Sequence, residues 1–244
     1  MAANLPATMP GSIRLYIAAP LAGGDTVAVS AAQAHYLGTV MRRGVGAEVR
    51  LFNGRDGEFD AHIESIRRDR ASLHVDHLLR PQTPEPDLWL VFALLKRDAT
   101  DLVVQKATEL GVAALYPVVT ERGNTHRMNA TRLTSIAVEA AEQCQRLTVP
   151  QIHPARPLED LLSDWPTDRR RLYVAAERTN APRLTPSHGK AALLVGPEGG
   201  FTPAELEATL AHPFVTAVSL GPRILRAETA CIAGLALLQA AECR

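Results

Sequence analysis

The residue types best suited to chemistry lie in two glycine–proline loops. One is Leu193-Leu194-Val195-Gly196-Pro197-Glu198-Gly199-Gly200-Phe201, an apolar strand running straight into a glycine-rich turn. Glycine lets the backbone approach a ligand closely and present its amides. Thr202-Pro203-Ala204-Glu205 follows and reads as a capping box with proline at the first helical position, which pins the turn between a strand and a helix. The other is Leu220-Gly221-Pro222-Arg223-Ile224-Leu225-Arg226-Ala227-Glu228-Thr229-Ala230, where a second strand ends in Gly-Pro and charged residues precede a last helix. Ligands of open α/β sheets sit beyond the carboxyl ends of strands, so two such loops can wall one slot. A tight turn and a solvated helix start account for the same residues without any ligand.

Other patterns carry less. Gln105, Lys106 and Glu109 share one helix face, and Glu139, Glu142, Gln143 and Arg146 share another. The Glu142–Arg146 pair has the favourable i,i+4 order, and a salt-bridged solvated face explains both stripes. Ala230, Ala233, Gly234 and Leu237 put small residues on one face of the terminal helix, for packing inside the subunit or against a second copy. There is no G-x-G-x-x-G after a strand, no Walker loop, no H-E-x-x-H and no G-x-S-x-G. The histidines lack metal-ligand spacing, so no metal is expected.

The elements that must position these loops fall into two regions. Residues 13–17, 26–29, 48–52, 58–63 and 72–78 read as short strands, interrupted by a helix over 31–42, with Asn53-Gly54 as a turn. This predicts a small β-rich domain over 12–80, a barrel. Arg80 to Asp87 holds three prolines and reads as a linker. From 85 to 244 strands alternate with helices: strands at 88–95, 112–119, 171–176, 191–195 and 215–220, helices at 101–110, 130–147, 203–210 and 227–241. That alternation predicts an α/β domain with a mostly parallel sheet.

Composition bounds the partners. The 244 residues are 46% hydrophobic and 21% charged, the balance of a folded globular chain. With 26 basic and 26 acidic residues the net charge is zero, which excludes coating nucleic acid by bulk charge but not a local basic patch. Lysine occurs only at 96, 106 and 190; arginine, suited to bidentate phosphate contacts, supplies the other basic residues. The run 88–95 is too short to cross a bilayer. Residues 1–11 do not resemble a signal peptide. Three cysteines without C-x-x-C spacing point to the reducing cytoplasm.

Together these segments resemble one family. Gln105-Lys106-Ala107-Thr108-Glu109-Leu110-Gly111-Val112, Ala140-Ala141-Glu142-Gln143-Cys144 with Arg146 and Pro150, and the two glycine–proline loops look like the RsmE family of small-subunit ribosomal RNA methyltransferases, in the SPOUT superfamily. Arg14-Leu15-Tyr16, His35-Tyr36-Leu37 and Arg42 also fit. The resemblance implies an N-terminal PUA-like β-barrel that helps hold RNA and a C-terminal SPOUT methyltransferase domain with a deep trefoil knot. It also implies a homodimer, with S-adenosyl-L-methionine as cofactor and methylation of a uridine N3 in 16S ribosomal RNA of the small subunit.

Carried onto this chain, the resemblance places the cofactor slot at Leu194, Gly196, Glu198, Gly199 and Gly200 on one wall. Leu220, Gly221, Ile224, Leu225, Arg226 and Thr229 form the other wall, and residues 175–177 lie nearby. Arg226 and Glu228 are the catalytic candidates, and Arg14, Arg42, Arg43, Lys106, Arg122 and Arg146 the RNA contacts. The chain departs from the family between Lys96 and Asp101 and at Gly123-Asn124. A SPOUT enzyme acting on another RNA and a non-catalytic RNA-binding protein are the alternatives.

Overall fold

The computed structural model describes residues 13–123, 128–166, 170–176, 180–187 and 189–240. The chain divides into two compact units, Met1–Pro84 with Ala141–Thr148, and Glu85–Ala140 with Val149–Arg244.

The first unit holds strands β1 (Ile13–Tyr16), β2 (Thr26–Ala28), β3 (Glu48–Phe52), β4 (Glu58–Arg67) and β5 (Arg70–Arg80), in the order β1-β3-β4-β5-β2. Only the β1–β3 pair is parallel. Period-two alternation sends one set of side chains inward. Ile13, Leu15, Val27, Leu51, Phe59, Ile63 and Leu73 share one buried cluster. All five strands feed that cluster, both edges included, as they do in a sheet rolled upon itself. Helix α1 (Ala31–His35) starts at Ser30, whose side chain and Gln33 form a capping box. The chain then widens into a π-helical turn, Tyr36–Val40, where the sequence predicted one continuous helix.

A buried charge cluster completes this unit. Glu58 accepts hydrogen bonds from Arg14 Nε and, at 2.6 Å, from Arg80 Nε. The Arg14 guanidinium lies 3.8 Å from the Phe52 ring centroid and donates to the carbonyls of Ala141 at 2.7 Å and Arg146 at 2.6 Å. Arg80 donates to the Gln145 carbonyl at 3.0 Å, and Glu142 accepts from the Tyr16 amide at 2.9 Å. The segment 141–148 is thus held by backbone carbonyls that would otherwise be orphaned at a helix end. Burial alone would raise the Glu58 carboxyl, but the hydrogen bonds and charges of Arg80 and Arg14 outweigh it and hold it below the usual carboxylate range.

The second unit contains β6 (Leu88–Ala93), α2 (Arg97–Glu109), β7 (Ala114–Val119), α3 (Ala130–Gln143, its last turn in the first unit), β8 (Gln151–Ile152), β9 (Arg156–Pro157) and α4 (Leu158–Ser163). Then come β10 (Arg171–Ala175), β11 (Ala191–Val195), α5 (Pro203–Leu210), β12 (Val215–Val218) and α6 (Ala227–Gln239). The strand order is β12-β10-β11-β6-β7-β8, with β9 also on β7, and every pairing is parallel. Helix α3 stops at Gln143, short of the predicted 147, and Gln145 adopts a left-handed φ of 63°.

Both sheet faces are buried, as a parallel sheet requires. Leu90, Phe92, Leu193 and Val195 point to one cluster, with α2 and α6; Val91, Ala192 and Leu194 point to the other, with α4. Close approach of α6 to β11 needs Gly234, since a Cβ there would lie 2.6 Å from Leu193 Cδ2. The small-residue face of the terminal helix is therefore used, at Gly234, for packing within this unit.

Candidate functional site

The carboxyl ends of β10, β11 and β12 open onto one cavity of about 1170 Å³, at Ala175, Val195 and Val218. The strands are adjacent and parallel, so their loops emerge on the same side.

Residues 196–201 form the first wall. The Gly200 amide donates to the Pro197 carbonyl at 2.9 Å, and Gly200 takes a φ of +67°. Gly196 is forced, because a Cβ there would meet the Phe201 ring at 2.9 Å. Thr202 caps α5 reciprocally with Glu205. A second oxygen role falls to Glu205, whose Oε1 accepts from the Glu121 amide at 2.7 Å, and Arg122 donates to the Gly199 carbonyl at 3.3 Å. The 121–122 turn is thereby tied to the glycine loop.

Residues 219–226 form the second wall. Ser219 Oγ accepts from the Gly221 amide at 3.2 Å, and Gly221 sits at a φ of +128°. The Ser219 amide donates to the Pro182 carbonyl at 2.8 Å and its carbonyl accepts from the Leu184 amide at 2.9 Å. This clasp fixes the loop against residues 182–184. Arg226 is the N-cap residue of α6, but its side chain makes no cap and stays exposed on the cavity wall. The positive end of the α6 dipole opens beside it.

The expected cofactor residues are largely gathered here. Gly196, Glu198, Gly199, Gly200, Leu220, Gly221, Ile224, Leu225 and Arg226 line the cavity. Leu194 does not: strand alternation turns it into the opposite core, and its neighbour Val195 takes the wall position. Thr229 and Glu228 are also off the wall, on the first turn of α6, where Ala227 and Ala230 line the cavity. Ala175 and Ala176 line it, and Glu177 lies outside the described residues. Sequence reasoning missed Arg183, Phe201 and Ser219; the loop carrying Arg183 has no motif of its own.

The residues fit S-adenosylmethionine. A Cβ on Gly200 or Gly221 would project into open space, so both glycines leave the slot free. Leu220, Ile224 and Leu225 offer apolar surface for a flat adenine, and the exposed backbone offers donors and acceptors.

The expected RNA contacts separate. Arg42, Arg43 and Arg122 are exposed. Lys106 pairs with Glu109 at 2.8 Å. Arg14 and Arg146 are buried instead: Arg14 is 9% and Arg146 8% exposed, Arg14 is committed to Glu58 and two carbonyls, and Arg146 Nε donates to Thr148 Oγ1 at 2.9 Å. Their guanidiniums serve the fold. Among the described residues no three His, Cys, Asp or Glu side chains form a metal-holding group, and no helix is long and apolar enough to cross a membrane.

Comparison with known proteins agrees with this layout. Residues 82–239 match the family model for an RNA methyltransferase domain, and residues 29–76 that for an RNA methyltransferase PUA domain. The ribosomal RNA small subunit methyltransferase E of Rickettsia conorii is 35% identical over 91% of this chain and 93% of its own. That of Bacillus subtilis is 29% identical over 87% and 89%. Among solved structures, ribosomal RNA small subunit methyltransferase E from Neisseria gonorrhoeae bound to S-adenosyl methionine superposes with a TM-score of 0.83 at 28% identity, covering 95% of this chain and 98% of that one. A Legionella pneumophila methyltransferase in complex with S-adenosyl methionine gives 0.82 at 30% identity, with the same coverage. With both family models matched in succession and a 35% identical relative covered over 93% of its length, this chain belongs to the ribosomal RNA small subunit methyltransferase E family.

Proposed function

We propose that this protein methylates N3 of a uridine in 16S ribosomal RNA, using S-adenosyl-L-methionine held between the 196–201 and 219–226 loops. The observation that carries the reading is the cavity itself, two glycine–proline walls at three parallel strand ends with an uncommitted arginine beside a helix N-terminus. The PUA-like region, 12–80, holds RNA, with Arg42 and Arg43 as its exposed contacts, and the region 85–244 carries out methyl transfer. The clasp between 182–184 and Ser219 supports a knotted C-terminal third. Leu102 on α2 and Leu237 on α6 are exposed apolar side chains on two helices packed together, which supports a homodimer. The small ribosomal subunit places the substrate in the cytoplasm.

When bound, S-adenosylmethionine supplies an electrophilic methyl group on a sulfonium. The protein must present an unpaired base, since N3 lies on the Watson–Crick edge. Arg226 and the α6 N-terminus stabilise the uracil anion that forms as N3 gives up its proton. In this reading the proton leaves to water, with Glu198 the one carboxylate on the cavity wall and Glu228 behind it on the first turn of α6.

The test is to incubate the protein with labelled cofactor and small ribosomal subunits lacking uridine N3 methylation, then digest the RNA for nucleoside mass spectrometry. The expected product is 3-methyluridine at one site. Label in a different nucleoside, or none despite cofactor binding, overturns the substrate. Arg226→Ala should lower turnover at saturating cofactor by about 100-fold or more; full turnover removes Arg226 from the chemistry.

A further inference from the structure

The cavity carries more positive charge than its cofactor can use. Four guanidiniums line it, Arg122, Arg183, Arg223 and Arg226, against one carboxylate, Glu198. S-adenosylmethionine is itself a net cation, since its sulfonium and ammonium outweigh its carboxylate. A wall built for it alone would not gather arginines. The volume also points to a second occupant: about 1170 Å³ exceeds the roughly 300–1,000 Å³ of a pocket for one small ligand.

Arg183 and Arg223 have no role in the reading above. Both are exposed, and among the described residues neither is in an ion pair or hydrogen bond through its side chain. Their mounts differ from a loose surface loop. Arg183 forms a β-bridge with Ser219, flanked by the Pro182 and Leu184 hydrogen bonds to that residue. Arg223 follows Pro222 on the second wall, three residues before Arg226. Arginine on a fixed backbone loses little entropy when its planar fork meets a phosphate.

We propose that Arg183 and Arg223 clamp the phosphates flanking the target nucleotide and so hold its base, turned out of the strand, toward Arg226. This rests on the RNA methyl-transfer reading. It assigns the surplus charge to the polyanionic substrate and separates an RNA-gripping rim from the glycine loops that hold the cofactor.

The test compares the full-length protein with R183Q/R223Q in two binding assays. One is calorimetric titration with S-adenosylmethionine. The other is filter binding of a labelled single-stranded RNA copied from the 16S 3′ region, between 50 and 200 mM salt. Losing two phosphate contacts lowers the slope of log affinity against log salt by about 1.4, a loss of about tenfold near 0.15 M salt. An unchanged circular-dichroism spectrum shows that the variant is folded, and cofactor affinity changes less than RNA affinity does. R183K/R223K keeps the charge, so most of the slope returns. Arg171→Gln, outside the cavity and with its Nη1 on the Pro213 carbonyl, leaves the slope where it was. An unchanged slope in R183Q/R223Q overturns the clamp. So does weakened cofactor binding at an unchanged RNA slope, which would make these arginines ligands of the cofactor carboxylate. Absence of 3-methyluridine with the wild-type protein defeats the substrate reading instead, and leaves the slope to decide the clamp.

Discussion

Glu58→Gln tests the charge cluster of the first unit. The Glu58 side chain is 2% exposed, and its two partners Arg14 and Arg80 are 7% and 18% exposed. Glutamine matches the shape but turns an NH2 toward guanidinium donors and removes the counter-charge from both. Breaking one member of a buried ion cluster costs about 3–5 kcal/mol, at least about a fifth of the ~5–15 kcal/mol that holds a typical domain. With a urea dependence of about 2 kcal/mol per molar, the midpoint falls by about 2 M. Trp89 and Trp165, the chain's two tryptophans, both lie in the second unit. Fluorescence would therefore miss the event, and the assay is hydrogen–deuterium exchange on peptides spanning 13–80 and 141–148 in rising urea. The pH dependence has a definite sign. Because the folded-state carboxyl is held below its usual value, its contribution is complete above the unfolded pKa of about 4.3. It is lost as pH falls through the folded value. The gap between wild type and variant should close on acidification below about pH 4. A midpoint change smaller than about 0.5 M at pH 7, or a gap that persists unaltered to pH 2, refutes the reasoning.

Three further outcomes follow from the second unit. Gly200→Val forces a β-branched residue to a φ of +67° and so reshapes a loop that lines the cavity; calorimetry should show cofactor affinity reduced more than about tenfold with circular dichroism unchanged. Gly234→Val drives a Cβ into Leu193, which is fully buried, and should cost about 1–3 kcal/mol in urea unfolding followed by tryptophan fluorescence. His153 stacks on Tyr116 with centroids 4.0 Å apart, its Nε2 buried without a partner, and burial lowers its pKa. The unfolded chain then takes up a proton near pH 6.5 that the folded chain resists, so stability declines below that pH. His153→Phe should gain on wild type between pH 7 and 5, and parallel stability curves would contradict this.

The sequence announced the parallel sheet and the slot because both depend on local signals. The run at 88–95, the Gly-Pro junctions after β11 and β12, and the Thr202–Glu205 capping box are all short-range features, and the structure places each where the pattern put it. Length was misjudged where polarity hid a strand. The hairpin β4–β5 extends through Glu64, Ser65, Arg67 and Arg70, which are exposed and give no apolar alternation. The two-residue strands β8 and β9 and the single-turn-and-a-half α4 were not anticipated, being too short to show a period. The side chain of Leu194 faces the opposite core, which hydropathy cannot reveal because every residue of β11 is buried. The burial of Arg14 and Arg146 is not legible in the sequence, because residue type does not reveal burial. The partner that neutralises Arg14 is 44 positions away and becomes visible only when β1, β3 and β4 pair.

The carbonyls gripped by Arg14 and Arg80 have a consequence for how this molecule can be taken apart. The first unit is not one stretch of chain: it is left at 84, re-entered at 141 and left again at 148. A gene cut at the proline-rich stretch would deliver five strands without the eight-residue insert that absorbs their buried donors. Such a piece would expose two guanidiniums and one carboxylate at a surface meant to be covered. The barrel is therefore not a bead that recombination could transplant on its own. Any exchange of this module must move the distant eight-residue segment with it, or redesign the ends of β1, β4 and β5.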